Sequence, residues 1–372
     1  MSLGDVKHQA AAVRLLRSAV TGGRLPHALL FVGPRGVGKG LAARELAKML
    51  FCESPRGKGE NLDPCDSCSH CRRVDRRTHP DLYWFAKEPD SNDFQIHLVA
   101  RRDDSPDRVV TESVVLMPME ARRTVTVLDD AELMNAAAAN ALLKSLEEPA
   151  PHAVLVLLCA DASRLPGTIL SRCQWVRFRA LPEEFVAEKV KALGAGAASD
   201  EELAYVSRLA GGSIEEALGL AGSGLWDLKK RLVAGLKDLD EAAALTLADE
   251  IDTWARKRAR AAKAKAGSPE ETAIRRASAR TALAAVATAI RDAAVMASGA
   301  EAAKAKDPVS LVNADQQGVV AAVAAWPAES LARAVDILAD AQAEIDRYVH
   351  TALATENALV QVSRLRLANV GR

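Results

Sequence analysis

The chain has 372 residues, more than one hydrophobic core ordinarily fills, and at 49% hydrophobic and 26% charged it is expected to fold into two or three domains. Lysine plus arginine number 49, as do aspartate plus glutamate, so no global field draws the protein onto nucleic acid and any DNA contact must be local. No apolar run reaches the roughly 18 residues of a membrane span and the first residues lack a signal-peptide core, so a cytoplasmic protein with no membrane partner is expected.

A helical pattern covers residues 6–20. Gly22, Gly23 and Pro26 then turn the chain into the apolar run Ala28–Val32, which reads as a buried strand. The segment Gly33-Pro34-Arg35-Gly36-Val37-Gly38-Lys39 follows at once and fits the phosphate-loop pattern G-x-x-x-x-G-K, set between that strand and a helix over 41–50. In such a loop Gly33, Gly36 and Gly38 let backbone N–H groups point into one concavity, and Lys39 reaches the β- and γ-phosphates of a nucleotide. A glycine turn without a ligand is the alternative. An active loop places Ser or Thr next, to hold Mg²⁺. Here the residue is Gly40, so metal-dependent ATP binding should be weakened and most hydrolytic power lost.

Four of the six cysteines follow closely: Cys52, then Cys65, Cys68 and Cys71 as C-x-x-C-x-x-C. Four thiolates satisfy tetrahedral zinc and leave no open position, so a structural ion is expected, with His70 a bystander. Unpaired thiols or redox chemistry are the alternatives. Cys159 lies in an apolar run and reads as core.

Residues 88–120 carry no clear pattern. Residues 125–128 form a second buried strand ending in Asp129 and Asp130, at the strand end where open α/β sheets bind ligands. Asp129 could hold a metal through water. Asp130 stands where a glutamate would orient the attacking water, one methylene too short; the alternative is that both acids only end a strand and cap a helix. Asn135 is a cap for the helix carrying Leu142, Leu143 and Leu146, closed by Pro149, and residues 154–160 return to the sheet, giving a parallel α/β layer. Beyond Pro182 the pattern is helical, broken at Gly211, Gly212 and Gly222 to Gly224, then alanine-rich to the end. The basic run Arg256, Lys257, Arg258, Arg260, Lys263 and Lys265 reads as the solvated face of a helix in preference to a DNA contact.

Several longer stretches now come together. Leu25-Pro26-His27-Ala28-Leu29-Leu30-Phe31, the cysteine cluster after the loop helix, His79-Pro80-Asp81, and Leu128-Asp129-Asp130-Ala131-Glu132-Leu133-Met134-Asn135 occur in one order. Asn140-Ala141-Leu142-Leu143-Lys144-Ser145-Leu146-Glu147-Glu148-Pro149 and Leu170-Ser171-Arg172-Cys173 complete the set. With these motifs the chain resembles the delta-prime subunits of the bacterial DNA polymerase III clamp loader, a AAA+ family.

The resemblance implies an α/β AAA+ P-loop domain over 1–180 with a zinc module at 52–71, a small helical lid over 181–224, and an all-α collar over 225–372 that holds subunits together. It implies work in DNA replication beside gamma/tau and delta subunits, loading the sliding clamp onto primer-template DNA. It also implies that Arg172 is an arginine finger reaching the ATP of a neighbouring subunit. By its own surroundings in sequence, Arg172 could equally be a salt-bridge residue. Two further departures point away from an ATPase: Ala160 where a polar residue would touch the γ-phosphate, and Glu215 where the lid of a motor subunit carries an arginine. The expectation is a non-catalytic stator, and the alternative is an ATP-hydrolysing gamma/tau-type motor of the same complex. A zinc-containing DNA-binding module is disfavoured by the neutral charge and the lack of stacking aromatics near the cysteines.

Overall fold

The computed structural model describes residues 3–87, 94–194, 196, 199–262, 268–298, 311–347 and 350–370. The chain divides into two compact units, one of Met1–Pro182 with Gly211–Glu215, the other of Glu183–Ala210 with Glu216–Arg372.

The first unit is built on five parallel strands: β1 (Ala28–Val32), β2 (Leu82–Phe85), β3 (Thr124–Leu128), β4 (Ala153–Cys159) and β5 (Gln174–Arg177), in the order β2-β3-β4-β1-β5. β3 and β4 are buried along their whole length, so β4 is apolar throughout while β3 carries two buried threonines, Thr124 and Thr126. Leu30 of β1, Leu128 of β3 and Leu155 and Leu157 of β4 pack as one cluster with Leu142 and Leu146 of the helix Ala136–Glu147. Each such leucine stabilises the fold by roughly 2 kcal/mol. Asn135 caps this helix as its sequence predicts, its side chain accepting the Ala138 N–H at 2.8 Å.

The register aligns the ends of β1, β3 and β4. Val32 pairs with Cys159, Leu128 with Leu157, and the Gly33 N–H donates to the Cys159 carbonyl at 3.2 Å. The phosphate loop, Asp129 and Ala160 therefore emerge at one edge of the sheet.

Three details differ from the sequence reading. The first helix is Ala10–Thr21, starting later than residue 6, because Gln9 is tied elsewhere: its side chain donates to the Arg179 carbonyl at 2.7 Å and accepts the Arg179 N–H at 2.9 Å. β2 and β5 are strands of four residues that the pattern did not single out. Part of the region without pattern is ordered by Asp81, whose carboxylate accepts N–H bonds from Met119, Glu120 and Ala121 at 2.6, 3.0 and 2.7 Å.

The second unit is helical among its described residues. The helices Leu225–Gly235, Glu241–Ala261, Pro269–Ala297, Ala328–Asp346 and Thr351–Val370 share a core that includes Leu228, Leu232, Ile251, Leu283, Ile290, Leu338 and Leu359. Fully buried Lys229 keeps its charge company by pairing with Asp315 at 2.5 Å and lying over the Tyr205 and Trp226 rings. Of the basic run, Arg256 pairs with Asp252 and Arg258 stacks 5.1 Å from the Trp254 ring, whereas Lys263 and Lys265 lie outside the described residues. Among the described residues no helix is long and apolar enough to cross a membrane.

Candidate functional site

Of the expected phosphate-loop site, Gly36, Gly38, Lys39 and Asp129 line one cleft of about 330 Å³ together with Arg35, Gly40, Asp130, Leu158 and Glu215, whereas Gly33 does not line it. Gly36 has φ +67°, and a Cβ there would lie 2.6 Å from the Glu215 nitrogen, so only glycine lets the loop pass this close to the 211–215 segment. The helix Lys39–Phe51 begins directly behind the loop.

Several polar groups of the cleft have partners within the first unit. Lys39 Nζ donates to the carbonyls of Gly33 at 2.6 Å and Pro34 at 2.7 Å, folding back on its own loop, and burial lowers its pKa. Arg35 crosses to Asp130 at 2.8 Å and stands 4.0 Å from Glu132. Asp130 itself adopts a left-handed conformation, φ +54°, at the end of β3. Asp129 accepts the Asp130 N–H at 3.2 Å; burial, then the neighbouring Asp130 charge, push its pKa up, while a hydrogen bond from Trp84 acts against them.

Glu132, which the sequence reading passed over, is buried and accepts the Ala160 N–H at 3.1 Å, and its other carboxylate oxygen has no hydrogen-bond partner among the described residues. Its only signal in sequence was its place inside the 128–135 motif.

A magnesium ion does not fit this arrangement. Mg²⁺ demands near-octahedral oxygen at about 2.1 Å. Position 40 offers no side-chain oxygen, and a Cβ added there would face carbon atoms of Trp84 at 3.7 and 3.8 Å and Leu158 at 3.9 Å. Asp130 faces Arg35 at 2.8 Å, so part of its charge is already offset.

Arg172 is not among the residues that line the cleft. It follows the short helix Gly167–Leu170, donates to the Thr168 carbonyl at 3.0 Å and pairs with Glu147 at 2.8 Å, with its side chain 36% exposed.

Cys52, Cys65, Cys68 and Cys71 come together, all four sulfurs lying within 4.8 Å of one another. Cys52 caps the end of the phosphate-loop helix, and Cys68 caps the helix Ser69–Asp75 that contains Cys71. Backbone N–H groups of Cys65, Cys68 and Cys71 donate to the sulfurs of Cys52, Cys65 and Cys68 at 3.3, 3.3 and 3.4 Å. Such bonds act toward thiolates, although burial keeps the Cys52 and Cys71 thiols raised. At Cys65 burial acts to raise the pKa, but hydrogen bonds, led by those of Ser67, outweigh it and bring the thiol to about 6. The donor set fits tetrahedral zinc, whose sulfurs sit about 2.3 Å from the ion.

His70 turns away from the sulfurs. Its Nδ1 lies 2.7 Å from His79 Nε2, and its Nε2 lies 3.1 Å from Glu53. Because the Asp81 N–H donates to His79 Nδ1 at 3.1 Å, the proton of neutral His79 sits on Nε2 and points at His70.

Comparison with known proteins bears on these features together. A family model described as DNA polymerase III, delta subunit, matches residues 8–182. DNA polymerase III subunit delta' of Pseudomonas aeruginosa is 36% identical over 246 residues, 61% of this chain and 67% of that protein. Subunit delta' of Bacillus subtilis is 32% identical over 182 residues, 49% of this chain and 51% of that protein. Subunit tau of Salmonella typhimurium is 31% identical over 262 residues, 67% of this chain but 38% of that protein, so the match spans well under two thirds of the tau relative. The likeness thus extends past the phosphate-loop unit to a relative aligned over two thirds of its own length, and the chain belongs to the clamp-loader subunit family of DNA polymerase III.

Proposed function

We propose that this chain is a delta-prime-type, non-catalytic subunit of the clamp loader, one that helps load the sliding clamp onto primed DNA while a neighbouring gamma/tau subunit consumes the ATP. The observation that carries this reading is the cleft itself, where no side-chain oxygen exists at position 40, the second acid is an aspartate facing Arg35, and Glu215 lines the cleft where a motor subunit would carry an arginine. A phosphoryl-transfer site acts by electrostatics and positioning, and each of these changes removes a part of that machinery.

In this reading Arg172 is the arginine finger, offered in trans to a motor subunit. It sits half-exposed on a short turn, outside the cleft, where a partner's phosphates could draw it from Glu147. An exposed pair of this kind is held by only about 0–1 kcal/mol, so exchange for a triphosphate is favourable. Zinc, held by Cys52, Cys65, Cys68 and Cys71, would fix the end of the phosphate-loop helix and do no chemistry. Residues 181–224 would serve as the lid and 225–372 as the collar that joins gamma/tau and delta subunits.

The rival reading, a gamma/tau-type motor, draws on the tau likeness over 67% of the chain. ATP turnover by the purified chain alone separates the two. The stator reading expects turnover no faster than that of its own Lys39→Ala variant; turnover of order 1 s⁻¹, abolished by that substitution, establishes the motor.

A further inference from the structure

Trp84 is the third residue of β2 and pairs in register with Val127 of β3, two residues before Asp129. The outer edge of its six-membered ring lies over the start of the phosphate-loop helix, where a Cβ on Gly40 would meet Cζ2 at 3.7 Å and Cη2 at 3.8 Å. Because Trp84 stands opposite Val127, it shares a sheet face with Asp129, and it acts to lower the Asp129 pKa against burial, as a donor facing that carboxylate does. On its other side the Arg77 guanidinium lies 4.4 Å from the ring centroid. These contacts pin the ring between position 40 and Asp129, the two places from which a phosphate-loop site draws its metal oxygens.

An indole is a poor neighbour for a cation at that spot. Its N–H presents positive charge along the ring edge, and it supplies no oxygen to a metal. Removing a hydroxyl at position 40 lowers the affinity for magnesium; filling the remaining space with a hydrogen-bond donor goes further. We propose that Trp84 is a specificity-determining residue that excludes the divalent cation from this cleft, so that restoring a hydroxyl at position 40 does not by itself restore a metal site.

The inference rests on reading the cleft as a degenerate phosphate loop and is independent of any role for Arg172. It is tested on the full chain with Mn²⁺ as the probe ion, in the presence of ADP, by electron paramagnetic resonance of bound manganese. Wild type and Gly40→Ser are expected to bind no more Mn²⁺ than Asp129→Asn. The double variant Gly40→Ser/Trp84→Leu is expected to gain one ion per chain, at least tenfold tighter than Gly40→Ser alone, and to lose it when Asp129→Asn is added. If circular dichroism finds the leucine variant unfolded, Gly40→Ser/Trp84→Phe, which keeps an apolar ring but no donor, decides with the same readout.

The proposal is overturned if Gly40→Ser alone gains the Asp129-dependent ion, or if the folded double variant gains none. The first of these results would leave the wild-type chain without ATPase, and so would sink the role of Trp84 while sparing the functional reading; turnover by isolated wild type would sink the reading itself.

Discussion

Lys39 is buried at the head of its helix and spends its charge on two carbonyls of its own loop. Binding a triphosphate requires those two bonds to be exchanged for phosphate contacts and Arg35 to leave or share Asp130. Restoring single residues should therefore achieve little: Asp130→Glu alone is expected to leave ATP turnover at background in a radiolabelled phosphate-release assay, because the longer acid still faces Arg35. Gly36 makes a different demand. With φ +67° and the Glu215 nitrogen 2.6 Å from any added Cβ, Gly36→Ala should destabilise the first unit by about 1–3 kcal/mol, read as a lower midpoint in thermal unfolding. Much of this was legible beforehand, since glycines, lysine and acids carry their chemistry in a fixed spacing. Trp84 and Glu132 were not, because a lone tryptophan in a half-buried edge strand and an acid inside a longer motif have no spacing of their own to betray them.

The helix Lys39–Phe51 connects the phosphate loop to the cysteine cluster and carries a buried ion network on the way. Lys48 pairs with Glu45 at 3.1 Å and with Asp66 and Asp75 at 2.8 Å each, and the second Glu45 oxygen has no hydrogen-bond partner among the described residues. Burial raises the Glu45 carboxyl from 4.5 to about 7 despite Lys48. The folded state then holds a proton that the unfolded chain loses between pH 4.5 and about 7, so this group's contribution to stability falls as pH rises through that window. The loss is up to about 3 kcal/mol. Urea unfolding at pH 5 and pH 8 should show Glu45→Gln gaining on wild type at the higher pH; an equal offset at both would contradict it. At the helix end, Cys68→Ser should remove one zinc per chain by atomic absorption and lower the unfolding midpoint, whereas a fully metal-free native protein would refute the site. Elements with strong patterns, β1, β3, β4 and the capped helix Ala136–Glu147, were readable in sequence. β2 and β5 were not, because four residues at a sheet edge, buried only in part, leave too short a run to separate from a loop.

At the scale of the molecule, balanced charge leaves function to local arrangements: a cleft with several of its polar groups already partnered, a cysteine cluster that ties down a helix, and an arginine outside the cleft. The helical second unit was legible only as composition, since alanine suits every face of a helix and leaves the apolar stripe that packs into the core poorly marked. The account's central claim is that this chain completes a neighbour's active site and has no ATPase of its own. The most direct test is steady-state ATP turnover by a clamp loader reconstituted with wild-type, Lys39→Ala or Arg172→Ala versions of this chain. The account predicts that Lys39→Ala stays within about twofold of wild type while Arg172→Ala loses the turnover of the neighbouring site, a loss on the order of 10³ at that site. Turnover that falls with Lys39→Ala and survives Arg172→Ala would contradict it.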